Sequence, residues 1–344
     1  MNPYALSMII SSLALGTITT LASSHWILAW IGLEINTLAI IPMMTKNPHP
    51  RSIEAATKYF LTQAAASALI LFSSILNAWL LGEWAINSLM NPMSMIFLSV
   101  AISTKLGLAP FHFWMPDVLQ GLTLQTGWIL STWQKLAPMA LLLQLSQSVN
   151  LTLVMIIGLL SILLGGWGGI NQNQIRKILA FSSIAHLGWM IIILKISPPL
   201  SILNFSLYVI MSSALFYTFI IINSMNISQL ATTWTKLPAL TALSLLSLLS
   251  LSGLPPLTGF MPKWLIAQEM IKQDLALISF IILTLTLLSL FFYLRLTYTI
   301  SLTMAPNSSL SLSLWHFKKK NNLAFLILLT LCLLPISPSI LSII

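Results

Sequence analysis

The stretch Gly107-Leu-Ala-Pro110-Phe-His112-Phe-Trp-Met115-Pro116-Asp117 interrupts an apolar segment, and the chain writes the same device a second time. The second copy reads Gly253-Leu-Pro-Pro256-Leu-Thr-Gly-Phe-Met261-Pro262-Lys263. Position 107 answers to 253, 110 to 256 and 116 to 262, a constant offset of 146. Each copy has Gly-x-x-Pro, then a Met-Pro whose proline lies six residues further on, then a charge. Gly and Pro both break helices, one by its backbone freedom and the other by its missing N–H. Paired breaks in corresponding halves of an apolar chain point to a transport pathway through a membrane. Lys105 precedes the first break and Lys263 follows the second, so the path suits ions.

Working outward, the rest of the chain is what a membrane would accept. Hydrophobic residues make up 57% of the 344 and charged residues only 6%. Apolar stretches of about 18 residues or more read as membrane spans. The net charge of +9 reflects 6 acids against 15 Lys and Arg. Those bases are scattered between spans and form no single basic face, which argues against nucleic acid as a partner. One cysteine, Cys332, excludes an intrachain disulfide or a Cys-ligated iron–sulfur cluster within the chain. The N-terminus runs straight into a span without a basic region, so no cleavable targeting segment is expected.

Hydropathy gives eleven spans: 4–22, 26–44, 57–81, 93–113, 122–145, 150–169, 178–195, 199–223, 237–258, 275–298 and 323–343. They are expected to be helices, because lipid offers no other partner for the backbone. The fold class is therefore an all-α polytopic membrane protein. Assigned alternately, the loops on one side collect Lys46, Arg51, Lys58, Arg176, Lys177, Lys236 and Lys318-Lys319-Lys320, and the other side little beyond Lys195 and Lys272. The positive-inside rule then puts the N-terminus on the basic side and the C-terminus opposite. Arg295 reads as a snorkelling residue at the basic end of its span. The 318–320 run reads as a contact with lipid headgroups, anionic ones included. The two breaks fall in the fourth and ninth spans, so the copies cross in opposite senses. This predicts two inverted five-helix repeats, residues 1–149 and 150–298, each with a broken helix, followed by a linker and a C-terminal helix over 299–344.

Three charges sit where lipid should forbid them. Glu34 lies mid-span in Trp30-Ile-Gly-Leu-Glu34, Lys105 about 18 Å along its helix, and Lys135 centrally in its own. Each costs about 2.5–3.5 kcal/mol if left facing lipid. They are expected to face inward, Glu34 and Lys105 close enough to couple. A structural ion pair is the plainer reading, but buried pairs are weak stabilisers. A proton path explains more: burial loosens a lysine's hold on its proton and a nearby carboxylate tightens it. Lys263 reads by hydropathy as a loop-edge residue, made interesting by its place beside the second break. His112 within the first break and His186 in Ser182-Ser183-Ile-Ala-His186 are possible relays, though each is equally a structural imidazole. No paired His spacing suggests haem, and no metal or cofactor site is expected. Gly165-Gly166-Trp-Gly168-Gly169 lacks a phosphate-loop Lys and reads as helix packing or a kink. The many Met and Trp read as packing and interface residues.

Taken together, Trp30-Ile-Gly-Leu-Glu34, Thr104-Lys105-Leu-Gly-Leu-Ala-Pro110-Phe-His112-Phe-Trp-Met-Pro-Asp117, Gln134-Lys135, Arg176-Lys177-Ile-Leu-Ala-Phe-Ser-Ser-Ile-Ala-His186-Leu-Gly and Ser252-Gly253-Leu-Pro-Pro256-Leu-Thr-Gly259-Phe-Met-Pro-Lys263 resemble the antiporter-like subunits of respiratory complex I. The resemblance covers most of the chain, in order. It implies a proton-translocating core subunit of NADH:ubiquinone oxidoreductase in the mitochondrial inner membrane, with no redox centre of its own. By it, Glu34 is the family's mid-membrane glutamate, Lys105 its broken-helix lysine, Lys135 the bridging lysine and Lys263 the lysine of the second broken helix. It implies other membrane-arm subunits, lipids and protons as partners. Family members commonly have fourteen spans, and eleven resembles the shortened animal version, which leaves the N-terminus on the matrix side and the C-terminus in the intermembrane space. The position 146 after Glu34 is Ala180, so the second half has no matching acid. Two alternatives stand beside this reading: a free-standing cation/proton antiporter, and a structural assembly subunit whose charges only brace the membrane arm.

Overall fold

The computed structural model describes residues 3–88, 90–235, 237–302 and 324–334. Lys236 and the Lys318–Lys320 run lie outside them. The described residues are almost wholly helical, in two compact units. The first unit is Met1–Ser161 with Leu194–Pro198, and the second is Ile162–Ile193 with Pro199–Ile344.

The first unit holds α1 (Pro3–Ala22), α2 (Trp26–Met44), α3 (Pro50–Leu81), α4 (Pro92–Leu106), α5 (Trp114–Gly121), α6 (Leu124–Ser131), α7 (Trp133–Gln144) and the start of α8 (Leu151–Ile170). Local chemistry sets these boundaries. His25 caps α2 by accepting the Ile27 N–H at Nδ1, 3.2 Å away. His49 and Ser52 form a reciprocal capping box at α3, with Pro50 at the first helical position. Asn91 caps α4 ahead of Pro92 in the same way. Helices α1 and α2 pack closely because small residues let their backbones meet, which matters where lipid supplies no hydrophobic drive. A Cβ on Gly32 would lie 2.5 Å from the Thr19 hydroxyl, and one on Gly16 2.6 Å from Asn36.

The second unit continues α8 and adds α9 (Ile175–Leu194), α10 (Pro198–Ile222), the short α11 (Ile227–Ala231), a 3₁₀ turn (Thr232–Thr235), α12 (Pro238–Ser252), α13 (Phe260–Lys272), α14 (Ala276–Leu302) and α15 (Ala324–Cys332). The glycine-rich run in α8 is a packing surface. Added Cβ atoms at Gly165 and Gly168 would strike Ala185 and Phe181 of α9, and those at Gly166 and Gly169 would strike Leu288 and Phe292 of α14. The Arg295 guanidinium donates to the Ile170 carbonyl and, at 3.1 Å, to Asn173 Oδ1, closing the end of α8.

Seven of these helices, α1, α2, α3, α8, α9, α10 and α14, are long and apolar enough to cross a membrane. The two shorter apolar helices, α4 and α12, are the ones the repeated motif ends. Both stop on a left-handed glycine, Gly107 at φ 75° and Gly253 at φ 81°. Both Ala109–Pro110 and Pro255–Pro256 are cis. A second helix then follows each break.

Three sequence readings need correction here. The span expected as 237–258 ends at Ser252, and what looked like loop beyond it is α13, so Lys263 is a half-buried helical residue and not a solvated loop edge. Polar residues Gln268, Glu269 and Lys272 depress hydropathy there without breaking the helix. The expected straight span 122–145 is two helices meeting at Thr132. Its hydroxyl donates back to the Trp128 carbonyl at 2.8 Å, a bond that bends helices. The expected span 57–81 begins earlier, at Pro50.

Candidate functional site

In the first unit, six helices, α2 to α7, line one cavity of about 20 Å³, and four of them bring polar side chains other than the Trp114 indole to it. Helix α2 contributes Asn36 and Thr37, α3 contributes Tyr59 and Gln63 one turn apart, α4 contributes Lys105, and α7 contributes Gln134 and Lys135. Gln134 fixes α7 on α2 by donating to the Asn36 carbonyl at 3.0 Å. Lys105 and Lys135 are 6% and 3% exposed. The sequence therefore placed both correctly as buried lysines, and the fold brings both to the same space.

Lys105 occupies the last turn of α4, where the negative end of the helix dipole favours a cation by about 0.3–1 kcal/mol. Its Nζ is buried and has no hydrogen-bond partner among the described residues. Glu34 stands half-buried on α2, where Thr37 Oγ1 donates to Glu34 Oε2 at 3.3 Å. No ion pair within 4.0 Å joins Glu34 to Lys105 among the described residues. The two groups are therefore not locked together as an ion pair.

The break itself is sealed by an aromatic side chain. Trp114 Nε1 donates to the Thr104 carbonyl at 3.0 Å, one of the acceptors freed where α4 ends. His112 is buried in the turn with its ring 4.4 Å from that of Phe113, and it is not part of the cavity lining. Asp117 points to the surface and pairs with Lys58 at 3.0 Å, which also holds Glu54 at 2.8 Å.

In the second unit the equivalent break is sealed by a lysine. Lys263 Nζ donates to the Ser252 carbonyl at 2.7 Å, the last residue of α12. His186 is buried on α9 with its ring 5.6 Å from that of Tyr208 on α10. Tyr208 bonds Ser183 and Ser212, and Tyr293 of α14 approaches Ser182 and Tyr208. This buried hydroxyl and imidazole cluster was missed in the sequence. Its signal was available, since Tyr208 and Tyr293 sit mid-span beside serines. No group of three or more His, Cys, Asp or Glu side chains that could hold a metal occurs among the described residues.

Comparison with known proteins agrees with this layout. The family described as NADH:quinone oxidoreductase/Mrp antiporter, transmembrane, matches residues 23–289, and NADH dehydrogenase subunit 2 C-terminus matches residues 290–341. NADH-ubiquinone oxidoreductase chain 2 of Aquarana catesbeiana is 59% identical over 343 residues, covering 99% of both chains. The chain belongs to this family. The Salmo salar relative is 60% identical over 277 residues, covering 80% of this chain and 79% of that one. Among solved structures, a chain of respiratory complex I from Thermus thermophilus with bound aureothin superposes with a TM-score of 0.83 at 24% identity, over 99% of this chain and 80% of that one. A chain of the Mrp complex from Dietzia sp. DQ12-45-1b gives 0.79 at 17% identity, over 85% and 60%. At these identities the superpositions speak for the fold, a multi-pass helical membrane subunit. The first family match spans every candidate residue from Glu34 to Lys263.

Proposed function

We propose that this chain translocates protons across the mitochondrial inner membrane as an antiporter-like core subunit of NADH:ubiquinone oxidoreductase. It works through Glu34, Lys105, Lys135 and Lys263, with the electron chemistry carried out elsewhere in the complex and no redox centre in this chain. Other membrane-arm subunits and membrane lipids are its partners. The N-terminus lies on the matrix side and the C-terminus in the intermembrane space. His112 and His186 are secondary relay candidates.

The observation that carries this reading is the shared cavity. Two nearly fully buried lysines line one small cavity, and the helix that carries the half-buried Glu34 lines it too. A lysine kept only for bracing would be expected to hold an ion pair, and Lys105 holds none within 4.0 Å among the described residues. A change of charge beside a buried amine can load or unload it, each factor of ten being about 1.4 kcal/mol.

The test is Lys105→Met in assembled enzyme, reading protons moved per NADH oxidised. A large fall with normal assembly supports the reading, whereas unchanged pumping would mean the charges only brace the arm. Cation/proton exchange by the isolated chain in liposomes would instead favour a free-standing antiporter.

A further inference from the structure

We propose that the Gln63 carboxamide is a positioning residue for proton transfer, holding a bridging water against the Lys105 amine. The inference rests on the proton-site reading of Lys105 given above. Gln63 is 4% exposed, and its Nε2 is buried without a hydrogen-bond partner among the described residues. Lys105 Nζ is in the same condition. Both line the same cavity of about 20 Å³. Buried polar groups are almost always satisfied, and leaving one unsatisfied is costly. Two such donors facing one small space call for a shared acceptor.

Water fits that description. A cavity needs about 10–15 Å³ of such volume, with two to four polar partners, to hold one molecule. This one offers Lys105, Gln63, Tyr59, Gln134 and Lys135. It is too small for an organic ligand. A water oxygen there accepts from Gln63 and from Lys105, and its own hydrogens are left to point across the cavity.

That orientation is the functional point. In the transfer, an N–H bond of the Lys105 ammonium breaks as an O–H bond forms on the water. Another O–H bond of the same water breaks as an N–H bond forms on the neutral Lys135 amine. One proton moves, the water is regenerated, and no electrons change hands. Gln63 touches neither transferred proton. It donates to the water oxygen and so fixes which lone pair and which hydrogens face the two lysines. Its place on α3, one turn beyond Tyr59, is set by a helix whose start at Pro50 is fixed by the His49–Ser52 capping box.

The experiment compares Gln63→Met and Gln63→Glu in assembled enzyme. Methionine keeps the volume and removes both polar atoms, while glutamate can donate to the water only when its carboxyl is protonated. Expected for Gln63→Met is a fall of about tenfold in coupled turnover, a barrier change of about 1.4 kcal/mol, with an enlarged solvent deuterium isotope effect. Gln63→Glu is expected to pump where its carboxyl is protonated and can donate, and to lose pumping as pH rises and the carboxyl ionises. A high-resolution map of the wild-type enzyme is expected to show a water peak within hydrogen-bond distance of both Gln63 and Lys105, missing in Gln63→Met. If the methionine variant does not assemble, the wild-type peak decides: without it the inference falls. Normal turnover and isotope effect in assembled Gln63→Met would also overturn it. A silent Lys105→Met would instead remove the reading on which the inference rests, so the two failures are distinguishable.

Discussion

Lys263 Nζ lies 2.7 Å from the carbonyl oxygen of Ser252, so the second broken helix is closed by the very lysine expected to carry a proton. The contact needs Gly253. Its φ of 81° turns the chain away, and a Cβ there would sit 2.8 Å from the amine. In the first break the comparable task falls to the Trp114 indole on Thr104. Lys105 is thereby released from sealing the helix end, and Lys263 is not. The two lysines answer to the same motif but hold their protons in different company.

That difference separates two roles of Lys263. Lys263→Arg keeps a donor for Ser252 but cannot release a proton near neutral pH. Lys263→Met removes both. If Lys263 is a proton site, both variants lower protons pumped per NADH. Only the methionine variant should also lower thermal stability, by about 1–3 kcal/mol for the carbonyl left unpaired. Full pumping by the arginine variant would reduce Lys263 to a helix cap.

Gly253 should be more sensitive than an ordinary helix-ending glycine. Gly82 ends α3 at φ 75°, with nothing within 4 Å of where a Cβ would lie. Gly82→Ala should therefore cost only the left-handed backbone penalty, about 1–2 kcal/mol. Gly253→Ala adds the displacement of Lys263 and should cost clearly more while also reducing pumping. Equal melting shifts for the two variants, with pumping untouched, would contradict the sealed-break geometry.

For Lys105 the expected signs of stability and activity oppose each other. Its amine is buried and unpaired among the described residues, so replacing it relieves a desolvation cost. Lys105→Met should leave stability unchanged or raise it by up to about 3 kcal/mol, while abolishing most pumping. Thermal denaturation and pumping measured on one preparation decide the matter. A marked loss of stability would show that Lys105 holds the bundle together.

The breaks were legible because Gly and Pro act locally, and a repeated Gly-x-x-Pro leaves little else for the backbone to do. Glu34, Lys105 and Lys135 were legible because charge in an apolar run is expensive wherever it sits. The cavity was not legible. Gln63 is one polar residue among many on α3, and nothing in its neighbours says that it lines a cavity with Lys105. The interruption at Thr132 was also hidden, because a lone threonine in an apolar run gives no sign that its hydroxyl will bond back to the Trp128 carbonyl. Lys263 was misread because hydropathy reports polarity, and α13 carries its polar residues on a helix that continues past the break.

Asp117 supplies the control that the repeat makes available. By the offset of 146 it is the counterpart of Lys263, yet it faces outward, 48% exposed, and pairs with a lysine that is 43% exposed. Exposed pairs are screened by water and salt and contribute little. Sharing a place in the motif should therefore not confer a share in the function. Asp117→Asn is expected to assemble normally, to melt as the wild type does and to pump the same number of protons per NADH. The same measurements on Lys263→Met should show a clear loss. A pumping defect in Asp117→Asn at both low and high salt would mean that the surface cluster of Glu54, Lys58 and Asp117 belongs to the proton path. Burial would then be the wrong criterion for choosing among the charges of this chain.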